Sequence, residues 1–217
     1  MSWRRWLSAG LVFFGGTLLL RWAFGRGRPT GPRRVATLGD SITAAGWYTK
    51  ALLKLLPNGS ATAAFGYGGQ QTRVIHKHLQ EALAWGPTDI VVLAGVNDLA
   101  SGRTVEQVER DLVALWGDVR RTGTRLVVVT ILPWARWRTV ANRYVAGGLP
   151  FGEEYRGATV EVNRRILGAS LPDASVDTSS LGDSVGRLLS EYDSGDGLHP
   201  NVAGHRALAK LIAAQAF

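Results

Sequence analysis

The chain has 217 residues, 46% of them apolar and 19% charged, which is enough for one buried core with little left for a second. It contains no cysteine, which excludes disulfides, thiolate metal sites and thiol nucleophiles and leaves the compartment open. The formal charge of +8 is concentrated at the start: residues 1–34 hold seven arginines and no acid, whereas the rest sets eighteen basic residues against all 17 acids. The remainder of the chain is therefore nearly neutral, and no nucleic-acid-binding face is expected of it.

Trp6 to Leu20 is an uncharged run flanked by Arg4, Arg5 and Arg21. A helix from Trp3 to Trp22 would span roughly 28 Å at about 1.5 Å per residue, close to a bilayer core of about 30 Å. Tryptophans at both ends suit the two membrane interfaces. Residues 1–24 are thus read as a membrane anchor, embedded over 6–24, or an uncleaved signal segment. A cleaved signal peptide is the alternative, although no convincing small-x-small cleavage site follows Leu20. Residues 25–33, rich in Gly, Pro and Arg, read as a tether. Arginine counting favours a cytoplasmic domain and a signal-anchor reading the opposite side, so the side stays open. A membrane-anchored or exported monomer of the cell envelope is expected.

From residue 34 to 217 the pattern alternates. Strands are expected at Val35–Leu38, Ala61–Phe65, Ile90–Ala94, Leu126–Leu132 and Ala174–Asp177. Helices are expected at Gly46–Leu56, Thr72–Trp85, Val105–Arg121, Glu153–Leu167 and Val202–Ala214. Strand and helix in alternation imply an α/β fold, a three-layer α/β/α sandwich of flavodoxin-like type around a five-stranded parallel sheet, with its site at the C-terminal strand ends. The connection 132–152 lacks periodicity and holds Trp134, Trp137, Tyr144 and Phe151, which either line an acyl pocket or pack the loop down.

The chemistry-bearing residues follow the strands in order. Ser41, in Gly39-Asp40-Ser41, stands between the first strand and a helix, where free N–H groups favour developing negative charge. Phe65-Gly66-Tyr67-Gly68-Gly69 ends the second strand, and its glycines let the backbone approach a ligand and offer an N–H. Asn97, in Gly95-Val96-Asn97-Asp98, places an amide at the same edge. Neutral donors beside a serine suit an oxyanion hole. Asp196-Gly197-Leu198-His199 precedes the last helix; His199 can take the serine proton while Asp196 orients the imidazole.

Ser, Gly, Asn and Asp-x-x-His in this order resemble the SGNH (GDSL-type) hydrolase family over nearly all of residues 34–217. The resemblance implies Ser41 as nucleophile and an oxyanion hole of the Ser41 backbone N–H, Gly69 and Asn97. It also implies His199 as base with Asp196 as its partner, and ester or thioester hydrolysis without a cofactor. Ala64 and Gly68 stand where the family usually has an asparagine and a serine, so Gly68 competes with Gly69. The substrate class spans short-chain esters, O-acetylated glycans and lysolipids, small-molecule, glycan or lipid. An acyltransferase on the same site, or a silent membrane-tethered glycan- or lipid-binding domain, are the rival readings.

A second Gly-Asp-Ser occurs in Gly182-Asp183-Ser184-Val185-Gly186, which also fits the Gly-x-Ser-x-Gly elbow. Too little chain follows it to carry further strands, so it reads as a loop. His76 and His78, two apart on a helix, point to nearly opposite sides and do not share a metal; surface roles are expected. His205 reads as structural.

Overall fold

The structure, a computed structural model, describes residues 30–135 and 153–217. The proposed anchor and tether up to residue 29, and Trp137, Tyr144 and Phe151, lie outside the described residues. Among the described residues no helix is long and apolar enough to cross a membrane.

Five strands, β1 Arg34–Gly39, β2 Ala61–Gly66, β3 Asp89–Leu93, β4 Arg125–Val129 and β5 Ala174–Val176, form one parallel sheet in the order β2-β1-β3-β4-β5. This is the expected three-layer fold. The central strands are buried on both faces because apolar residues stand at consecutive positions. Ile90 and Val92 of β3 face one helical layer, and Val91 and Leu93 face the other. The first layer contains α3 Thr72–Lys77, α4 Leu79–Ala84, α6 Val105–Arg121 and α7 Glu153–Gly168; the second contains α1 Ser41–Ala44, α2 Trp47–Leu53 and α8 Val202–Ala216. A short helix, α5 Val96–Ala100, follows β3.

Three boundaries depart from the periodicity. The helix expected over Thr72–Trp85 breaks at His78 (φ −94°, ψ 5°), which separates α3 from α4. The helix expected from Gly46 begins at Trp47, because Gly46 caps it with φ 70°. The strand expected to reach Leu132 ends at Val129. Beyond it, Asn163 of α7 takes over both backbone groups of Ile131, accepting from its N–H and donating to its carbonyl, each at 2.8 Å. A side chain has replaced the ladder partner there.

Parallel register sets Gly39 opposite Gly66 on one side and Leu93 on the other. The three motif-bearing strands therefore end level, and the residues after them converge on one edge of the sheet.

Candidate active site

The chain leaves β1 through Gly39, whose place admits no side chain. A Cβ there would lie 2.3 Å from the Leu93 carbonyl oxygen and 2.4 Å from Thr43 Oγ1. Asp40 then caps α1, its buried carboxylate accepting from the Ile42 N–H at 3.0 Å. Ser41 is thereby the first helical residue. Its N–H, an orphan of the helix start, has no acceptor among the described residues. The Thr43 and Tyr48 hydroxyls, 2.9 Å apart, and the Thr37 and Thr49 hydroxyls, 2.7 Å apart, fix α1 and α2 against the strand.

Asp196, His199 and Ser41 meet as expected. Ser41 Oγ is 2.8 Å from His199 Nε2, and His199 Nδ1 is 2.6 Å from Asp196 Oδ2. A carboxylate only accepts, so Nδ1 carries the proton and the bare Nε2 accepts from the serine hydroxyl. Asp196 is held in turn by the backbone N–H groups of Leu198 and His199, both donating to Oδ1, at 2.9 and 2.8 Å. The loop's shape comes from Asp193, which accepts from the N–H groups of Gly195 and Gly197; both glycines have positive φ, 102° and 81°.

Electrostatics follow from this geometry. The Asp196 hydrogen bond raises His199, outweighing the burial that would lower it. Burial would raise Asp196, but the bonds from the His199 ring and from two backbone N–H groups overcome it and hold the carboxyl at about 2. Asp40 goes the other way: burial pushes it up to about 6, against the Ile42 N–H bond and the attraction of His199. The site thus sets one low and one high carboxylic acid around a single imidazole.

The two other expected positions lie on neighbouring loops. Gly69 adopts φ 70° with open space where a Cβ would be, and its N–H has no acceptor among the described residues. Left-handed backbone explains a glycine at 69; Gly68 has no such requirement. Asn97, 4% exposed, donates through Nδ2 to the Gln70 carbonyl at 3.1 Å, which ties α5 to the glycine loop and leaves the amide a second N–H. Gly66 has a different task from the one expected of a ligand-facing glycine. A Cβ there would come within 2.0 Å of the Ala44 backbone nitrogen, so it makes room for the helix that begins at Ser41.

Motif reading gave no role to Asp40, Asp98 or Asp193. Asp98, fully buried, accepts from the N–H and hydroxyl of Thr72 at 2.8 and 2.9 Å and pairs with Arg103 at 3.2 Å, anchoring α5 to α3. Its signal was its place beside Asn97; its partner lies 26 residues back.

The remaining candidates fall elsewhere. Ser184 is an exposed loop residue, and no hydrogen bond joins it to a histidine among the described residues; His199, His76 and His78 pair with other groups. Asp183 spends its carboxylate on the N–H groups of Val185 and Arg187 and on the Arg187 side chain. His76 pairs with Asp118 at 2.7 Å and His78 with Glu81 at 2.6 Å, so the two rings serve different partners. Trp134 is a packing residue: it is 3% exposed, donates to Thr159 Oγ1 at 3.0 Å and meets Tyr155 edge-on.

A parallel sheet with a serine, imidazole and carboxylate in relay at its C-terminal edge is the arrangement that a serine hydrolase needs. Residues 37–207 match the model of the GDSL-like lipase/acylhydrolase family, and the chain belongs to that family of ester hydrolases. No curated protein matches it significantly. Among solved structures it resembles a GDSL-like lipase from Bacteroides thetaiotaomicron VPI-5482 (18% identity, 90% of this chain and 93% of that one, TM-score 0.63). It is similar also to the lipase/acylhydrolase from Enterococcus faecalis (20% identity, 84% and 94%, TM-score 0.61). A third is an acetyl xylan esterase (17% identity, 83% and 98%, TM-score 0.62). At these identities the structural likeness establishes the fold.

Proposed function

We propose that the chain cleaves acyl esters through an acyl-enzyme on Ser41, with short acyl groups such as O-acetyl on a glycan or small alcohol as the preferred class. The observation that carries the reading is the Ser41–His199–Asp196 relay, with contacts of 2.8 and 2.6 Å. His199 Nε2 removes the serine proton as Oγ attacks the ester carbonyl, and the imidazolium that forms is stabilised by Asp196. The carbonyl oxygen gathers charge in reach of the N–H groups of Ser41 and Gly69 and the amide of Asn97. His199 then returns the proton to the departing alcohol. Water, deprotonated by the same ring, releases the acid and restores Ser41. Likeness to an acetyl xylan esterase is what directs attention to acetyl groups. The aligned relay argues against a silent binding domain.

The leader adds a place of action. Its apolar run between arginines supports a domain held at a membrane or exported through it, as a monomer on a short tether.

The test is turnover of an acyl-ester panel from acetyl to long-chain by the full chain, with fluorophosphonate labelling. Hydrolysis and labelling that both vanish in Ser41→Ala are expected. Transfer to an added alcohol in preference to water would favour the acyltransferase reading, and no turnover or labelling of any kind would end the proposal.

A further inference from the structure

A groove of about 340 Å³ runs between α2 and α8, on the outer face of the helical layer that carries Ser41. None of the relay or oxyanion residues lines it. Its charge is one-sided: Lys50, Lys54, Arg206 and Lys210 line it with no acid among them. All four are exposed, and none pairs with a carboxylate among the described residues. Surface cations of a near-neutral domain ordinarily alternate with acids, so four together on two facing helices form a concentrated positive field.

The same groove is apolar between the cations. Trp47, Leu55 and Val202 line it and stay 48%, 46% and 46% exposed. Large apolar side chains grouped in a concavity and rimmed by charge mark a binding surface more than scattered exposed residues do.

A third observation is independent of both. His205 lines the groove, is 3% exposed, and its buried Nδ1 has no hydrogen-bond partner among the described residues. Its ring stacks on Tyr48 (centroids 6.2 Å, planes at 5°) and tilts against Trp47 at 5.6 Å, so it is held in place by packing and not by polar contacts. Burial pushes this imidazole down to about 4, so at neutral pH it is uncharged and has one N–H to donate.

We propose that the groove is a binding site, separate from Ser41, for a single-chain anionic amphiphile of the alkyl phosphate class. The chain lies on Trp47, Leu55 and Val202, and the phosphate meets the four cations, with Nε2 of His205 as the ring nitrogen that can face it because Nδ1 is buried. A phosphate monoester, with roughly −1.5 to −2 charge at pH 7 and several acceptor oxygens, matches four cations and a neutral donor better than a carboxylate does.

Hydrogen exchange on the full chain in a neutral maltoside detergent tests this without any ester turnover, so its failure is distinct from failure of the hydrolase reading. Dodecyl phosphate at roughly ten times its Kd should slow locally opened amides of residues 47–55 and 202–210 about tenfold. Ser41→Ala should behave the same way. Lys50→Glu with Arg206→Glu should abolish the slowing, whereas Lys50→Arg with Arg206→Lys should keep it, and unchanged exchange in β1, β3 and β4 verifies that both variants fold. Equal slowing by zwitterionic dodecyl phosphocholine would reduce the site to an apolar patch, and equal slowing by inorganic phosphate would reduce it to a simple anion site. Either result overturns the proposal, as does no slowing. If the charge-reversed variant loses protection already present without amphiphile, the occupant is the leader or a second copy of the chain, and the proposal also falls.

Discussion

Gly39-Asp40-Ser41 and Gly182-Asp183-Ser184 are the same three residues in opposite circumstances. In the first, the carboxylate is buried and caps a helix, and the serine follows a central strand with an imidazole 2.8 Å away. In the second, Asp183 closes an exposed turn around itself and Ser184 faces solvent. Both aspartates do similar local work, accepting from N–H groups two or more residues on. What separates the copies is long-range: the level ends of three strands, and the distant loop that carries His199. Three residues specify a turn, and the sheet decides which turn becomes a site.

The sharpest way to break the comparison is to delete each hydroxyl. Ser41→Ala should lower kcat/KM by about 10³-fold or more and abolish fluorophosphonate labelling, with Ser184→Ala staying near wild type. The opposite ranking would transfer the nucleophile to the second copy. Next is the relay. Asp196→Asn should lower kcat by about 10² to 10⁴, because the ring loses its oriented tautomer. It should also move the acid limb of the residual pH–rate profile downward, since Asp196 is the main cause of the raised His199 pKa. An unmoved limb would mean that the limb does not report His199.

Gly66→Ala probes what the first copy demands of its surroundings. Its methyl would press on the Ala44 backbone, and the expected cost is about 1–3 kcal/mol of stability together with a fall in kcat larger than any change in KM. Equal stability by denaturant titration would show that α1 can yield there.

The smallest effect is at Asp40. Its folded pKa lies above the unfolded one, so its contribution to stability is present below pH 3.8 and is lost as pH rises through about 6. Asp40→Asn can keep the cap to Ile42 without a charge. The variant should be roughly 2 kcal/mol more stable than wild type at pH 8 and show no such gain at pH 3.5. Its acid limb should move slightly down, because the Asp40 carboxylate also favours the charged His199. A destabilised variant at pH 8 would mean that the charge itself supports the fold.

The sheet and its helices were legible in the sequence because β-branched runs and helical periods are local properties. Val105–Arg121, with its Thr104 capping box and Gly123 beyond, has the bounds that its pattern implies. Helix α5 escaped because five residues cover little more than one turn and carry no period. The early end of β4 was illegible because its cause, Asn163, lies 32 residues away. The site divides in the same way. Ser41, Asp196 and His199 could be picked out because their types and order limit the chemistry, whereas the service of Asp98 to Thr72 depends on two turns meeting across the fold.

Asp196 and His199 sit three residues apart, and the loop that joins them ties the carboxylate to the ring and to two of its own backbone N–H groups. That loop is held together by its own short-range contacts. The longest closure the fold has to make at the relay is the gap between residues 41 and 199, across 158 positions of sequence. On gradual heating, inactivation should therefore register first as a parting of the serine from an imidazole still paired with its aspartate. Proton resonances of the His199–Asp196 bond would outlast turnover.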